Sequence, residues 1–229
     1  PYGRDLLVQW GDTIYVNPGL VNSVVEKFQR KLDVRSLLRK AGYNGKIETH
    51  NVLSEGGLFV FGENFLLISD RYKSQEKPLR KMASNRGLDK NIYFLPSITS
   101  PSAKHIDCDY QIIDSAKTIY GGLNIYESSS EEARLARSSL KKICESEGYE
   151  LREYQFNPEK YFDNESFEKY LRCPIGVNSI VDGARFFTEY IHPVEEKYLT
   201  SRGLKVSRIP VRDLDMGAGL RCLYGEFIV

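Results

Sequence analysis

Residues 106–156 read IDCDYQIIDSAKTIYGGLNIYESSSEEARLARSSLKKICESEGYELREYQF, and this stretch holds one full copy of the pattern that organises the chain. Ile106 to Ile125 sets β-branched and aromatic residues on either side of a short polar break, which predicts a hairpin. Ser130 to Ser146 then carries apolar residues at helical spacing, Glu147-Gly148-Tyr149 offers a glycine for the left-handed position that closes a helix, and Glu150 to Phe156 predicts another strand.

The same hairpin, helix, stop and strand recur on both sides of it. Hairpins are predicted over Asp5 to Val16, Leu58 to Ser69 and Ile175 to Tyr190, and helices over Leu20 to Lys40, Ser74 to Asn85 and Pro193 to Ser201. The stops are Ala41-Gly42-Tyr43, Arg86-Gly87-Leu88 and Arg202-Gly203-Leu204, with strands to follow at Lys46 to Thr49, Asn91 to Pro96 and Lys205 to Val211. Pro158 to Tyr170 is a helical insertion, and Gly219 to Val229 is a half-unit. A supersecondary unit returning about every 50 residues points to a closed or stacked repeat architecture. The pattern by itself leaves open a generic α+β fold whose alternation only looks periodic.

Composition narrows the function classes. The chain has 229 residues, 41% hydrophobic and 28% charged, enough for a large core, and its 32 basic and 31 acidic residues leave a net charge of +1. Such neutrality gives no overall electrostatic case for nucleic acid or an anionic membrane as partner. No run approaches the roughly 20 apolar residues that span a bilayer. Cys108, Cys144, Cys173 and Cys222 are widely spaced, which suggests neither a zinc site nor a disulfide framework, and reduced thiols in a cytoplasm are expected.

Three segments place ionisable residues at the same point of their repeats: Arg4-Asp5, Glu55-Gly56-Gly57 and His105-Ile106-Asp107. The half-unit adds Gly217-Ala218-Gly219-Leu220-Arg221-Cys222. Singly, Asp5 reads as a solvated turn residue, Glu55 as a surface carboxylate and Cys222 as a small buried hydrophobe. His105 and Asp107, alternating about Ile106, are expected on one face of a strand. Equivalent positions of rotationally related units meet at an axis, so together they assemble a thiol, an imidazole and three carboxylates. Anions around a cysteine blunt its thiolate unless the substrate brings positive charge. A planar cation such as guanidinium fits, because paired carboxylates can each accept two N–H donors.

On these motifs the chain resembles the pentein superfamily of guanidino-group-modifying enzymes, which includes arginine and agmatine deiminases, dimethylarginine dimethylaminohydrolase and glycine amidinotransferase. The resemblance implies an α/β fold, a five-bladed pseudo-symmetric propeller of ββαβ repeats, formed by residues 1–229 as a single domain. Since Gly219 to Val229 lacks a helix and closing strand, either a segment before Pro1 completes the fifth blade or that blade is reduced. The resemblance further implies Cys222 as nucleophile, His105 as general acid and base, Glu55 as the support of His105, Asp5 and Asp107 as guanidinium clamps, and Arg71 as the grip on a substrate carboxylate. No cofactor or metal is expected.

Two departures bear on the substrate. Leu58 stands where deiminases carry Asp after Glu-Gly-Gly, and Met216-Gly217-Ala218 stands where arginine deiminases carry a second carboxylate-gripping Arg, a role Arg221 could fill. The reading is a cysteine-dependent hydrolase of the deiminase type acting on a small guanidino compound. Its rivals are an amidinotransferase using the same intermediate, a propeller scaffold, and a degenerate enzyme that binds without turnover.

Overall fold

Short runs of apolar and β-branched residues, each too brief for a helix, pair across polar breaks wherever the repeat predicts a hairpin. The structure, a computed structural model, describes residues 7–10, 12–18, 33–49, 56–84, 91–98, 105–122, 125–126, 128–153, 179–188 and 191–209. Among them are four three-stranded sheets. The first joins β1 (Leu7–Trp10) antiparallel to β2 (Thr13–Val16), and β3 (Lys46–Thr49) returns parallel to β2 after helix α1 (Val34–Lys40). The second joins β4 (Phe59–Phe61), β5 (Leu66–Ser69) and β6 (Ile92–Leu95), with α2 (Glu76–Ser84) between the last two.

The third joins β7 (Tyr110–Ile113), β8 (Thr118–Gly121) and β9 (Glu150–Glu153), with α3 (Glu131–Glu147) before β9. The fourth joins β10 (Ile180–Asp182), β11 (Arg185–Thr188) and β12 (Lys205–Arg208), with α4 (Pro193–Ser201) before β12. In every sheet the hairpin's second strand lies in the middle, and the third strand runs parallel to it. A parallel return needs a crossover, which the helix supplies. The expected ββαβ order therefore holds in all four. The insertion at Pro158 to Tyr170 and the half-unit Gly219 to Val229 lie outside the described residues.

The chain divides into two compact units. One contains the first sheet, with a core of Ile14, Val16, Leu38, Tyr43 and Ile47. Here Asp33 caps α1 by accepting from Ser36 N at 3.0 Å, and Arg39 at the other end donates to Tyr43 O at 2.7 Å and Gly45 O at 2.9 Å.

The other unit contains the remaining three sheets. Its main core lies between the second and third, where Val60, Phe65 and Leu67 meet Tyr110, Ile112 and Ile119. Helix α3 closes that core with Ala136, Leu140, Ile143 and Cys144, one apolar stripe at helical spacing. Ser130 caps it by accepting from Ala133 N at 3.1 Å, and Gly148 ends it at φ 73°. Tyr149 N then reaches back to Cys144 O at 2.9 Å, the bond that a left-handed residue makes possible. Gly42 and Gly203 occupy the matching positions at φ 90° and 86°.

A buried ionic network fastens the third sheet to the fourth. Glu195 of α4 is 1% exposed, yet its carboxylate accepts from Tyr120 Oη at 2.6 Å and from Arg152 Nε and Nη2 at 3.2 and 3.1 Å. The Arg152 guanidinium lies 3.8 Å from the Tyr198 ring and also donates to Glu150 at 3.0 Å. Burial alone would weaken its charge, but the two carboxylates outweigh that and hold the guanidinium well above its ordinary range.

Candidate functional site

Within the three-sheet unit, chemistry concentrates where the second sheet ends and the third begins. His105 is half-buried with extended backbone (φ −72°, ψ 107°), and it leads into a 3-10 turn over Ile106–Cys108 closed by Asp109 N donating to Ile106 O at 2.9 Å. This corrects the expectation that His105 and Asp107 alternate along a strand. Strand β7 starts only at Tyr110, so the motif forms the turn before it, and the backbone rotates through the turn rather than flipping by half a revolution at each residue. The two residues still lie together, with Asp107 fully buried and the turn packed on β4.

Arg71 lies on a separate 3-10 turn, Asp70–Gln75, that follows β5. It is exposed, and its backbone N–H donates to Ser69 Oγ at 3.4 Å. Its neighbour Asp70 is close enough to Tyr110 to act on it electrostatically. Tyr110 is held well above the ordinary range, first by burial and then by Asp109 and Asp70. Leu58, at the end of the 3-10 turn Gly56–Leu58, is fully buried, so the position that differs from the deiminase pattern is a core position in this chain. Asp5, Glu55 and Cys222, together with Arg221 and the glycine-rich run before it, lie outside the described residues.

Two residues that motif reading passed over belong to this corner. Asp109 is fully buried, and its Oδ2 accepts from Ile98 N at 2.8 Å and from Ser97 Oγ at 2.9 Å. Ser97 Oγ also donates toward His105 O at 2.9 Å. The only hint in the sequence is a second Asp two places after the first, directly ahead of the apolar run Tyr-Gln-Ile-Ile.

Two thiols, Cys108 and Cys144, lie among the described residues, and both are buried. Cys144 faces the core from α3, and burial, with Glu145 adding to it, pushes its thiol up to about 12. Among the described residues, no cluster of His, Cys, Asp and Glu is arranged to hold a metal ion, and no helix is long and apolar enough to cross a membrane.

The architecture has close counterparts among solved structures. An amidinotransferase from Microseira wollei in the saxitoxin biosynthetic pathway superposes with a TM-score of 0.63 at 15% identity, over 97% of this chain and 66% of that one. Agmatine deiminase from C. jejuni gives 0.57 at 18% identity, over 92% and 64%. The chain shares its fold with both of these structures. A dimethylarginine dimethylaminohydrolase from Pseudomonas aeruginosa, complexed with citrulline, shares this fold with a TM-score of 0.58 at 12% identity, over 97% of this chain and 74% of that one. At such identities the likeness is one of fold. The chain thus spans 64% of the length of the agmatine deiminase whose fold it shares. No protein-family model matches the chain, and no curated protein sequence matches it.

Proposed function

We propose that the chain is a cysteine-dependent hydrolase of the deiminase type acting on a small guanidino compound within a five-bladed propeller. The observation that supports this reading is the turn on which His105 and the buried Asp107 lie, in a fold shared with solved guanidino-modifying enzymes. Asp107 is suited to a planar cation, because a carboxylate can accept paired N–H donors from a guanidinium. Asp5 is assigned as the second clamp and Arg71, exposed beside β5, as the grip on a carboxylate of the substrate.

In this mechanism Cys222 Sγ attacks the central guanidinium carbon as the thiolate, forming an S–C bond. His105 as imidazolium gives its proton to the departing nitrogen, and the C–N bond breaks to leave an amidino thioether on Cys222 and a free amine or ammonia. Neutral His105, supported by Glu55, then takes a proton from water as the oxygen attacks the same carbon. The S–C bond breaks, the thiolate returns and a ureido product leaves. An amine as second nucleophile would make the protein an amidinotransferase. The similarity to an amidinotransferase structure favours that as the second reading.

Intact-mass measurement tests both. After incubation with arginine, agmatine, methylated arginines or guanidinoacetate, at least one compound is expected to leave a covalent adduct that Cys222→Ala abolishes, together with a ureido product. Adding an acceptor amine separates transfer from hydrolysis. Absence of adduct and product across the panel would overturn the enzyme reading in favour of a propeller scaffold.

A further inference from the structure

The ends of the connection between β6 and β7 are tied together by side chains that the proposed chemistry does not use. Tyr110 Oη donates to Pro96 O at 2.7 Å, Ile98 N donates to Asp109 Oδ2 at 2.8 Å, and Ser97 Oγ donates toward both Asp109 Oδ2 and His105 O at 2.9 Å. A hydroxyl has one proton, so Ser97 shares it between a carboxylate and the backbone carbonyl of His105. Asp109 is anchored in turn from the far side, where its own carbonyl accepts from Gly122 N at 2.8 Å. Ser97 is 4% exposed, and Asp109 and Tyr110 are fully buried. Hydrogen bonds to a carboxylate in such surroundings are strong, and breaking one leaves a buried charge poorly served.

Holding the His105 carbonyl fixes the peptide plane between His105 and Ile106. That plane sets the ψ of His105, and therefore the direction in which its Cα–Cβ bond leaves the chain. We infer that Ser97 and Asp109 are positioning residues that aim His105. The inference rests on the reading of His105 as the acid and base group. Burial and the nearby acidic groups keep Tyr110 protonated, so its donor bond to Pro96 persists across the neutral range. A general acid must lie within hydrogen-bond reach of the departing nitrogen, and a displacement near 1 Å can cost about a hundredfold in rate.

The test follows His105 directly and by turnover. Its imidazole signals, identified by their loss in His105→Gln, are recorded by NMR in the full chain, and kcat and KM are measured with whichever guanidino compound is turned over. Ser97→Ala is expected to shift or broaden those signals and to lower kcat roughly ten- to a hundredfold with KM changed less than about threefold. Ser97→Thr, which keeps the hydroxyl, is expected to restore both. Should Ser97→Ala fail to fold, Ser97→Cys, close in shape and a much weaker donor, is read in the same way. Unmoved His105 signals and unchanged kcat in a folded variant would overturn the positioning role. Moved signals, with turnover unaffected by His105→Gln, would support the positioning role and instead refute His105 as the acid and base group.

Discussion

Replacing Arg152 by Met examines the fastening between the third and fourth sheets. Glu195 is 1% exposed and has three hydrogen bonds from this neighbourhood, two of them from Arg152. The substitution keeps an unbranched side chain of similar reach but leaves the carboxylate with Tyr120 alone in that set. Removing one partner of a buried ion pair costs about 3–5 kcal/mol. Loss of the guanidinium stacked 3.8 Å from the Tyr198 ring adds about 0.5–1 kcal/mol. In a chain of this length each kcal/mol corresponds to about 2–4 °C, so Arg152→Met is expected to melt about 7–24 °C below the native protein at pH 7. Thermal and urea unfolding followed by circular dichroism read the shift and the free energy, because the sole tryptophan, Trp10, belongs to the first sheet and not to this unit. Glu195→Gln should cost less, since an amide oxygen still accepts from Tyr120 and Arg152. If Arg152→Met destabilised by under about 1 kcal/mol, the buried carboxylate would not depend on its cation and the argument would fail.

Two further outcomes are expected. Because the folded protein holds the Cys144 thiol up at about 12 while an unfolded thiol ionises near 8.5, the unfolded chain binds fewer protons between those values and stability falls as pH rises. By pH 10 this loss is on the order of 2 kcal/mol, and Cys144→Ala should flatten that part of the slope in urea midpoints taken from pH 8 to 10; an unchanged slope would refute it. Gly148→Ala is expected to cost about 1–2 kcal/mol by thermal unfolding, since φ is 73° and no atom lies within 4 Å of the added methyl, which leaves backbone strain as the whole effect; a neutral result would show that the helix ends another way.

The periodic skeleton was legible because each unit is written locally. Lys46–Thr49 and Pro193–Ser201 occur with the expected boundaries, the former after a glycine stop and the latter behind a His192 cap and a proline that suits the first turn. The helix expected from Ser74 begins two residues later. A 3-10 turn occupies Asp70–Gln75, and α2 begins at Glu76, so that Pro78 falls in the first turn where its missing N–H is not needed. The His105 turn was hidden because a three-residue motif carries too little period to distinguish an extended strand from a turn. Ser97 and Asp109 were hidden for another reason. Their contact is non-local, bridging 12 residues, and it depends on burial that neither residue type signals.

The tie across the β6–β7 connection also says how little text a chain must keep to preserve this corner. Three of its bonding partners, Pro96 O, Ile98 N and His105 O, are main-chain atoms that any residue would supply, or any residue but proline in the case of the N–H. Only Ser97, Asp109 and Tyr110 write it with side chains. A comparison that averages over whole chains gives three letters almost no weight, even where they set the aim of a reactive group. Distant chains that share the arrangement would be found more readily by a sparse spaced pattern, a hydroxyl residue eight positions before the histidine and an Asp-Tyr pair starting four after it, than by overall identity.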